Sequence, residues 1–169
     1  GAPFNLNAGQ FLDQQLNAGS HVVASKPISV TQYCTGSTCD GVNSDPFEMV
    51  LSPTLQVIDD IVFDAFTTPT ITSTYVNIVT ETSNINNVVL DGNPVPGGSF
   101  TPVPGSTFSY AQLNIATGSH TLQSAAGFLA YVYGFGPYNS YGYTGGVNVK
   151  KASATFNINL EDSTYAYFN

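Results

Sequence analysis

Strict alternation of apolar and polar residues is the feature that most restricts how this chain can fold. Within residues 152–160, every even position is apolar and every odd position is Ser, Thr or Asn. Residues 109–116, SYAQLNIA, repeat the pattern. Successive side chains of a strand point to opposite faces of a sheet, so a period of two predicts strands with one buried face. The predicted inward residues are Ala152, Ala154, Phe156, Ile158 and Leu160 in the first segment and Ala111, Leu113 and Ile115 in the second, with Tyr110, Gln112 and Asn114 outward.

Turn signals separate these segments at short intervals. They are Asp91-Gly92, Pro96-Gly97-Gly98, Pro104-Gly105, Gly118-Ser119 and Gly145-Gly146. Further predicted strands are TYVNIVTE, NNVVLDG, HTLQSA and GFLAYVYG. Short strands about 8–12 residues apart are typical of antiparallel sandwiches and barrels. We therefore predict an all-β fold, an antiparallel β-sandwich of Ig-like or jelly-roll-like kind with little or no helix, in which residues 8–19 fit a short helix, a strand or coil equally.

The length of 169 residues suits a single domain with a core of its own. We expect one compact unit over residues 1–169. Its predicted parts are N-terminal strands (1–50), a main sandwich (51–148) and a C-terminal extension strand (149–169), which pairs either within its own chain or with a neighbour.

Charge is scarce in this chain. Only 8% of the residues are charged, and three lysines without arginine leave a formal net charge of −8. Binding to nucleic acid or to anionic lipid requires a cationic surface, so neither is expected. No apolar run approaches the roughly 18 residues that span a bilayer, so membrane insertion is not predicted either. An uncharged polar surface over β-structure is typical of extracellular proteins.

The two cysteines, Cys34 and Cys39, enclose four small residues. This spacing favours a disulfide in an oxidising, extracellular compartment, with two unpaired thiols as the alternative. The loop that follows contains Asp40, Asn43 and Asp45, whose oxygens are hard ligands of the kind calcium prefers. Calcium is thus the candidate ion and no other cofactor is expected, although Asx-rich turns also arise from local hydrogen bonds alone.

No catalytic constellation emerges from the sequence. Both histidines, His21 and His120, follow Gly-Ser and have no nucleophile motif nearby. The acids Asp59, Asp60 and Asp64 cluster in one predicted strand, but glycosidases need two carboxyls facing each other across a cleft. We therefore predict that the protein is not an enzyme and keep a glycan-active enzyme as a minor alternative.

Residues 131–146, YVYGFGPYNSYGYTGG, combine five tyrosines with five glycines. They do not form a phosphate-binding loop, because no helix follows them. Tyrosine faces with Asn and Ser groups suit sugars, so the candidate ligand-binding residues are Tyr138, Asn139, Ser140, Tyr141 and Tyr143. The structural alternative, which the sequence favours, is that the tyrosines cover bare glycine backbone and fix the end of a strand.

The stretch FLAYVYGFGPYNSYGYTGG resembles the ending of the domain named for the N-terminal region of the IgGFc-binding protein. The preceding GSHTLQSAAGF belongs to the same ending, and weaker likenesses lie upstream in ASKPISVTQY, SDPFEMVLSPTLQ, YVNIVT and VVLDGNPV. The resemblance extends from about Gly9 to Val147. It implies a β-sandwich in surface-exposed or secreted proteins, bacterial ones included, with a role in adhesion or recognition and no catalytic residues. The Cys34–Cys39 loop and the strand after the tail depart from the pattern.

Three functional hypotheses follow. The first is a non-enzymatic extracellular adhesion module of a bacterial surface or fibre protein, which binds a glycan or protein on another cell. The second is a structural subunit or spacer of a fibre, pilus or surface layer that binds no ligand. The third is the glycan-active enzyme. A homo-oligomer, such as the trimer of a fibre tip, fits the first two hypotheses.

Overall fold

A computed structural model describes residues 4–34, 44–66 and 68–148, which form an antiparallel all-β fold. The ten strands are β1 (Thr31–Cys34), β2 (Phe47–Val50), β3 (Ile58–Ala65), β4 (Ser73–Glu81), β5 (Val89–Leu90), β6 (Asn93–Pro94), β7 (Thr101–Pro102), β8 (Phe108–Ile115), β9 (Gly118–Gly136) and β10 (Asn139–Thr144). The helical elements among the described residues are short 3₁₀ turns: Thr54–Gln56, Thr82–Asn87 and Gly97–Ser99. The predicted fold class is confirmed. Residues 8–19 contain neither helix nor strand, and the alternating segment 152–160 lies outside the described residues.

One long strand, β9, holds the two layers of the sandwich together. Its first half pairs with β3 and β5, whereas its second half pairs with β4 and β10. The two predicted strands HTLQSA and GFLAYVYG are therefore one 19-residue strand. Gly127 marks the change of partner with a φ of +84°, a left-handed conformation that glycine adopts without steric cost. The sheet curls at this point, so both halves of β9 contribute to the same core.

The main core fills the space between the two layers. Phe63 and Leu122 enter it from the β3 side, and Ile78 and Val132 enter it from the β4 side. Phe128, at the bend of β9, is fully buried. The two faces of β8 are as the sequence predicts. Ala111 and Ile115 are buried, and Leu113 packs against the core. Gln112 and Asn114 are exposed on the other face.

A smaller apolar cluster lies on the opposite face of β9. Leu129 and Tyr131 pack there against Met49 of β2, with Phe47 beside them. The β1–β2 pair therefore covers this part of the outer face. As a result, the second half of β9 is buried on both faces, whereas the neighbouring strands β4 and β8 keep part of their outer face open.

Candidate functional site

The tail tyrosines Tyr141 and Tyr143 pack against the core, as the structural alternative expects. The Tyr143 hydroxyl donates to the carbonyl of Asp64 at 2.7 Å and accepts from the N–H of the same residue at 3.3 Å. The Tyr141 hydroxyl accepts from the N–H of Phe66 at 3.2 Å, and the two rings lie 4.6 Å apart. These contacts hold β10 against the outer edge of β3. Burial raises the pKa of both tyrosines, so both hydroxyls remain protonated near neutral pH.

The other three predicted ligand residues differ in exposure and in hydrogen-bond partners. Tyr138 is 77% exposed at the β9–β10 turn, with a φ of +55°. The side chain of Asn139 donates to the Thr70 hydroxyl at 2.7 Å. The Ser140 hydroxyl donates to the carbonyl of Asp45 at 2.6 Å. Ligand binding by the five residues as a set stays a prediction.

The predicted disulfide and calcium loop fall largely outside the described residues. Cys39, Asp40 and Asn43 lie there, whereas Cys34 ends β1 and Asp45 precedes β2. Both assignments stay predictions. Within the described ranges, no group of three or more His, Cys, Asp or Glu side chains is close enough to hold a metal ion.

His120, whose side chain is buried, forms an ion pair with the partly exposed carboxylate of Asp91. Its Nδ1 lies 2.7 Å from a carboxylate oxygen of Asp91, and its Nε2 lies 2.9 Å from the carbonyl of Ala116. Both ring nitrogens therefore face hydrogen-bond acceptors. Only the protonated imidazolium carries a proton on each nitrogen, so only this form donates to both acceptors. Burial alone would lower the pKa of His120, but the hydrogen bonds to Asp91 and Ala116 outweigh burial and raise it above 6.5. For Asp91, burial acts to raise the pKa, and the bonds from His120 and Thr121 outweigh it and lower the value below 3.8.

This pair predicts a pH-dependent stability. A raised histidine pKa contributes stability that is complete below 6.5 and is lost as the pH rises through the folded-state pKa. The lowered Asp91 pKa contributes stability that is lost as the pH falls below 3.8. We expect the urea midpoint to fall as the pH rises above 6.5. In His120→Gln this decline should disappear, and a decline of equal size in the variant would contradict the assignment.

The open part of the outer face lies on β4 and β8, beside β9. Register places Asn77 between Gln112 of β8 and Tyr131 of β9. In the next row, Tyr75 lies between Asn114 and Tyr133. We call Tyr75, Asn77, Gln112, Asn114 and Tyr133 the amide–aromatic face. None of these side chains is charged.

The Tyr133 hydroxyl organises the amides of this face. It accepts a hydrogen bond from Nε2 of Gln112 and donates to Oδ1 of Asn77 at 2.9 Å. Burial raises the pKa of Tyr133 above 10.0, so the donating proton is retained at neutral pH. These two hydrogen bonds fix the orientation of both amide groups. Oε1 of Gln112 and Nδ2 of Asn77 then have no hydrogen-bond partner among the described residues. The face therefore presents a fixed acceptor beside a fixed donor.

An aromatic surface adjoins these amides. The ring of Tyr75 stacks on Tyr133 with centroids 5.4 Å apart and an angle of 17° between the planes. Phe135 and Phe47 extend the cluster toward β2. On the β8 side, Gly19 packs against the Tyr110 ring, where an added Cβ would lie 2.5 Å from a ring carbon. Among the described residues, β2 borders this face on one side and Gly19 borders it on the other, and Gln112 and Asn114 are exposed between them.

Sequence reasoning found part of this face. The outward orientation of Gln112 and Asn114 followed from the alternation in SYAQLNIA, but their role beside Tyr75 and Tyr133 did not. The alternation in YVNIVT was a usable signal, because it places Tyr75 and Asn77 on one side of a strand. The pairing of β4 with both β8 and β9 brings the residues together, and no local pattern encodes that pairing.

Comparison with known proteins identifies the family. The family profile described as IgGFc binding protein matches residues 1–134, a range that ends within the second half of β9. The tail from Phe135 onward, which carries much of the resemblance noted in the sequence, lies beyond the matched residues. No curated protein and no solved structure matches the chain. Helices long and apolar enough to cross a membrane are absent from the described part of the chain. Because the matched residues make up well over half of its length, the chain belongs to the IgGFc-binding protein family of binding modules.

Proposed function

We propose that this chain is a non-enzymatic extracellular adhesion module of a bacterial surface or fibre protein, which binds a neutral glycan on another cell through the amide–aromatic face. Family membership supports a binding role over a catalytic one. The observation that carries the proposal is the Tyr133 hydroxyl holding Gln112 and Asn77 beside the exposed part of Tyr75.

The chemistry of the face matches that of a sugar. A pyranose presents a C–H face that packs on an aromatic ring, and its hydroxyls both donate and accept hydrogen bonds. The Tyr75 ring supplies the first contact, and Oε1 of Gln112 and Nδ2 of Asn77 supply the second. Because the amides are already fixed by protein hydrogen bonds, little side-chain entropy is lost on binding. The lack of charge in the face favours a neutral saccharide over a sialylated or sulfated one.

A glycan array tests this proposal with three variants. We expect saturable binding of the wild-type chain to neutral glycans and strong loss of signal in Tyr75→Ala and Gln112→Ala. Tyr138→Ala is the matched control, since it removes an exposed tyrosine outside the face and should bind like wild type. Two outcomes would contradict the proposal: loss of binding in Tyr138→Ala alone, or binding to cells that survives complete removal of surface glycans. The second result would assign a protein ligand.

A further inference from the structure

One edge of the β8 strand lies open. The N–H of Val103 bonds the carbonyl of Phe108 at 2.8 Å, so the backbone groups of even-numbered β8 residues point away from β4. Among the described residues, only β7 pairs along this edge, and it reaches no further than Tyr110. The chain before β7 turns into the core at Phe100, which is buried. The backbone N–H and C=O groups of Gln112 and Asn114 are therefore left for another strand.

Three other sheet edges in the described structure, those of β3, β10 and β6, carry contacts or a residue that hinder pairing. Tyr141 and Tyr143 bond the backbone at the end of β3. The Thr144 hydroxyl of β10 donates to the carbonyl of Val50 at 2.9 Å, which joins this edge to β2. β6 ends in Pro94, which has no N–H to offer. Natural proteins also protect edges with charged residues. The open stretch Ala111–Ile115 contains none.

We propose that this edge accepts residues 152–160 from a second copy of the chain. A strand beside β8 needs apolar side chains toward the core, in line with Ala111, Leu113 and Ile115, and polar side chains outward. Residues 152–160 have this alternation, with Phe156 and Ile158 on the apolar side and Asn157 and Asn159 on the polar side. An added strand gains main-chain hydrogen bonds and buries its apolar face, which is the usual basis of strand addition.

The reach of the chain favours a second copy over the same one. The N–H of Gly145 bonds Ala130 of β9 and the N–H of Asn148 bonds Gln56, which places both on the side of β9 away from β4. From there, the position beyond β8 lies about four strand spacings away, or ~19 Å. The four residues from 149 to 152 span at most ~14 Å when fully extended, so the whole of residues 152–160 cannot pair with the β8 edge of the same chain. Donor and acceptor are different surfaces, so the contact is head-to-tail and can extend into a chain of subunits.

Sedimentation velocity on the 169-residue chain tests this proposal. The wild type should associate as its concentration rises, and Phe156→Asp should remain monomeric. Asn157→Asp is the matched control, because it adds the same charge on the polar side and should associate like wild type. Hydrogen exchange gives the location: the amides of Gln112 and Asn114 should be protected in the associated wild type and unprotected in Phe156→Asp.

Three results would overturn the inference. The first is a wild-type chain that stays monomeric at every concentration, even with protected amides, since the segment would then pair within its own chain or not at all. The second is association that persists in Phe156→Asp. The third is association that leaves Gln112 and Asn114 exchanging as fast as in the monomer.

Discussion

Gly136→Ala is expected to lower the melting temperature of this protein strongly, by roughly 6–12 °C for a loss of about 3 kcal/mol and by more for a larger one. A Cβ at this position would lie 1.6 Å from the carbonyl oxygen of Thr70 and 2.6 Å from its carbonyl carbon. Both atoms belong to backbone, so neither can move aside as the end of a flexible side chain would. Overpacking of a core typically lowers the free energy of unfolding by ~1–3 kcal/mol. Because this clash is with backbone, we expect a loss at or above the upper end of that range. Circular dichroism during thermal unfolding measures the effect.

Gly98→Ala is the matched control for that substitution. Gly98 has open space around its Cβ position and lies in an exposed 3₁₀ turn. We expect its melting temperature to stay close to that of the wild type. Equal melting temperatures for Gly136→Ala and wild type would show that β9 and the loop at Thr70 do not approach as described.

Phe128→Ala should cost ~3–5 kcal/mol in the free energy of unfolding, the usual range for a deleted buried aromatic ring. Phe128 is 0% exposed and lies at the bend where β9 passes from β3 to β4. Its ring fills the core between both layers, so its loss leaves a cavity that neither layer can close alone. Equilibrium unfolding in urea gives the value directly.

The comparison for this variant is Phe11→Ala. The Phe11 side chain is 85% exposed, so the same truncation there removes almost no buried area. Its free energy of unfolding should change by less than ~0.5 kcal/mol. A similar loss in both variants would contradict the assignment of Phe128 to the central core.

The strands were predictable where the pattern is local. Alternation in β8 assigned both of its faces correctly, and the turn at Asp91-Gly92 separates β5 from β6. The continuity of β9 was not predictable, because Gly127 looks like an interruption in the sequence but serves as a bend within one strand. A glycine with positive φ ends some strands and bends others, and tertiary pairing decides between the two.

The candidate site was harder to predict than the fold. For the tail tyrosines the sequence left a binding surface and a structural role open and favoured the structural role, without indicating what they contact. Their role at the β3 edge depends on how β10 lies relative to Asp64, a residue almost eighty positions earlier in the chain. The amide–aromatic face likewise needs the register of three strands. Sequence periodicity predicts which face of the sheet each side chain lies on. Which side chains are its neighbours depends on how the strands pair.

The two surfaces have separate roles in this account. We propose that the amide–aromatic face binds the glycan and that the edge of β8 binds a second copy of the chain. Gln112 contributes its side chain to the first and its backbone to the second. Phe156→Asp should therefore abolish association while retaining glycan binding, and Tyr75→Ala should do the reverse.

The most direct test of the recognition function is a calorimetric titration with a neutral glycan bound by the wild type. Tyr75→Ala should weaken the affinity about tenfold or more, since losing the stacked ring removes roughly 1.4 kcal/mol of binding energy. Tyr138→Ala should leave the affinity unchanged. Equal affinities for Tyr75→Ala and wild type, with a loss in Tyr138→Ala, would move the binding site to the β9–β10 turn and contradict the account.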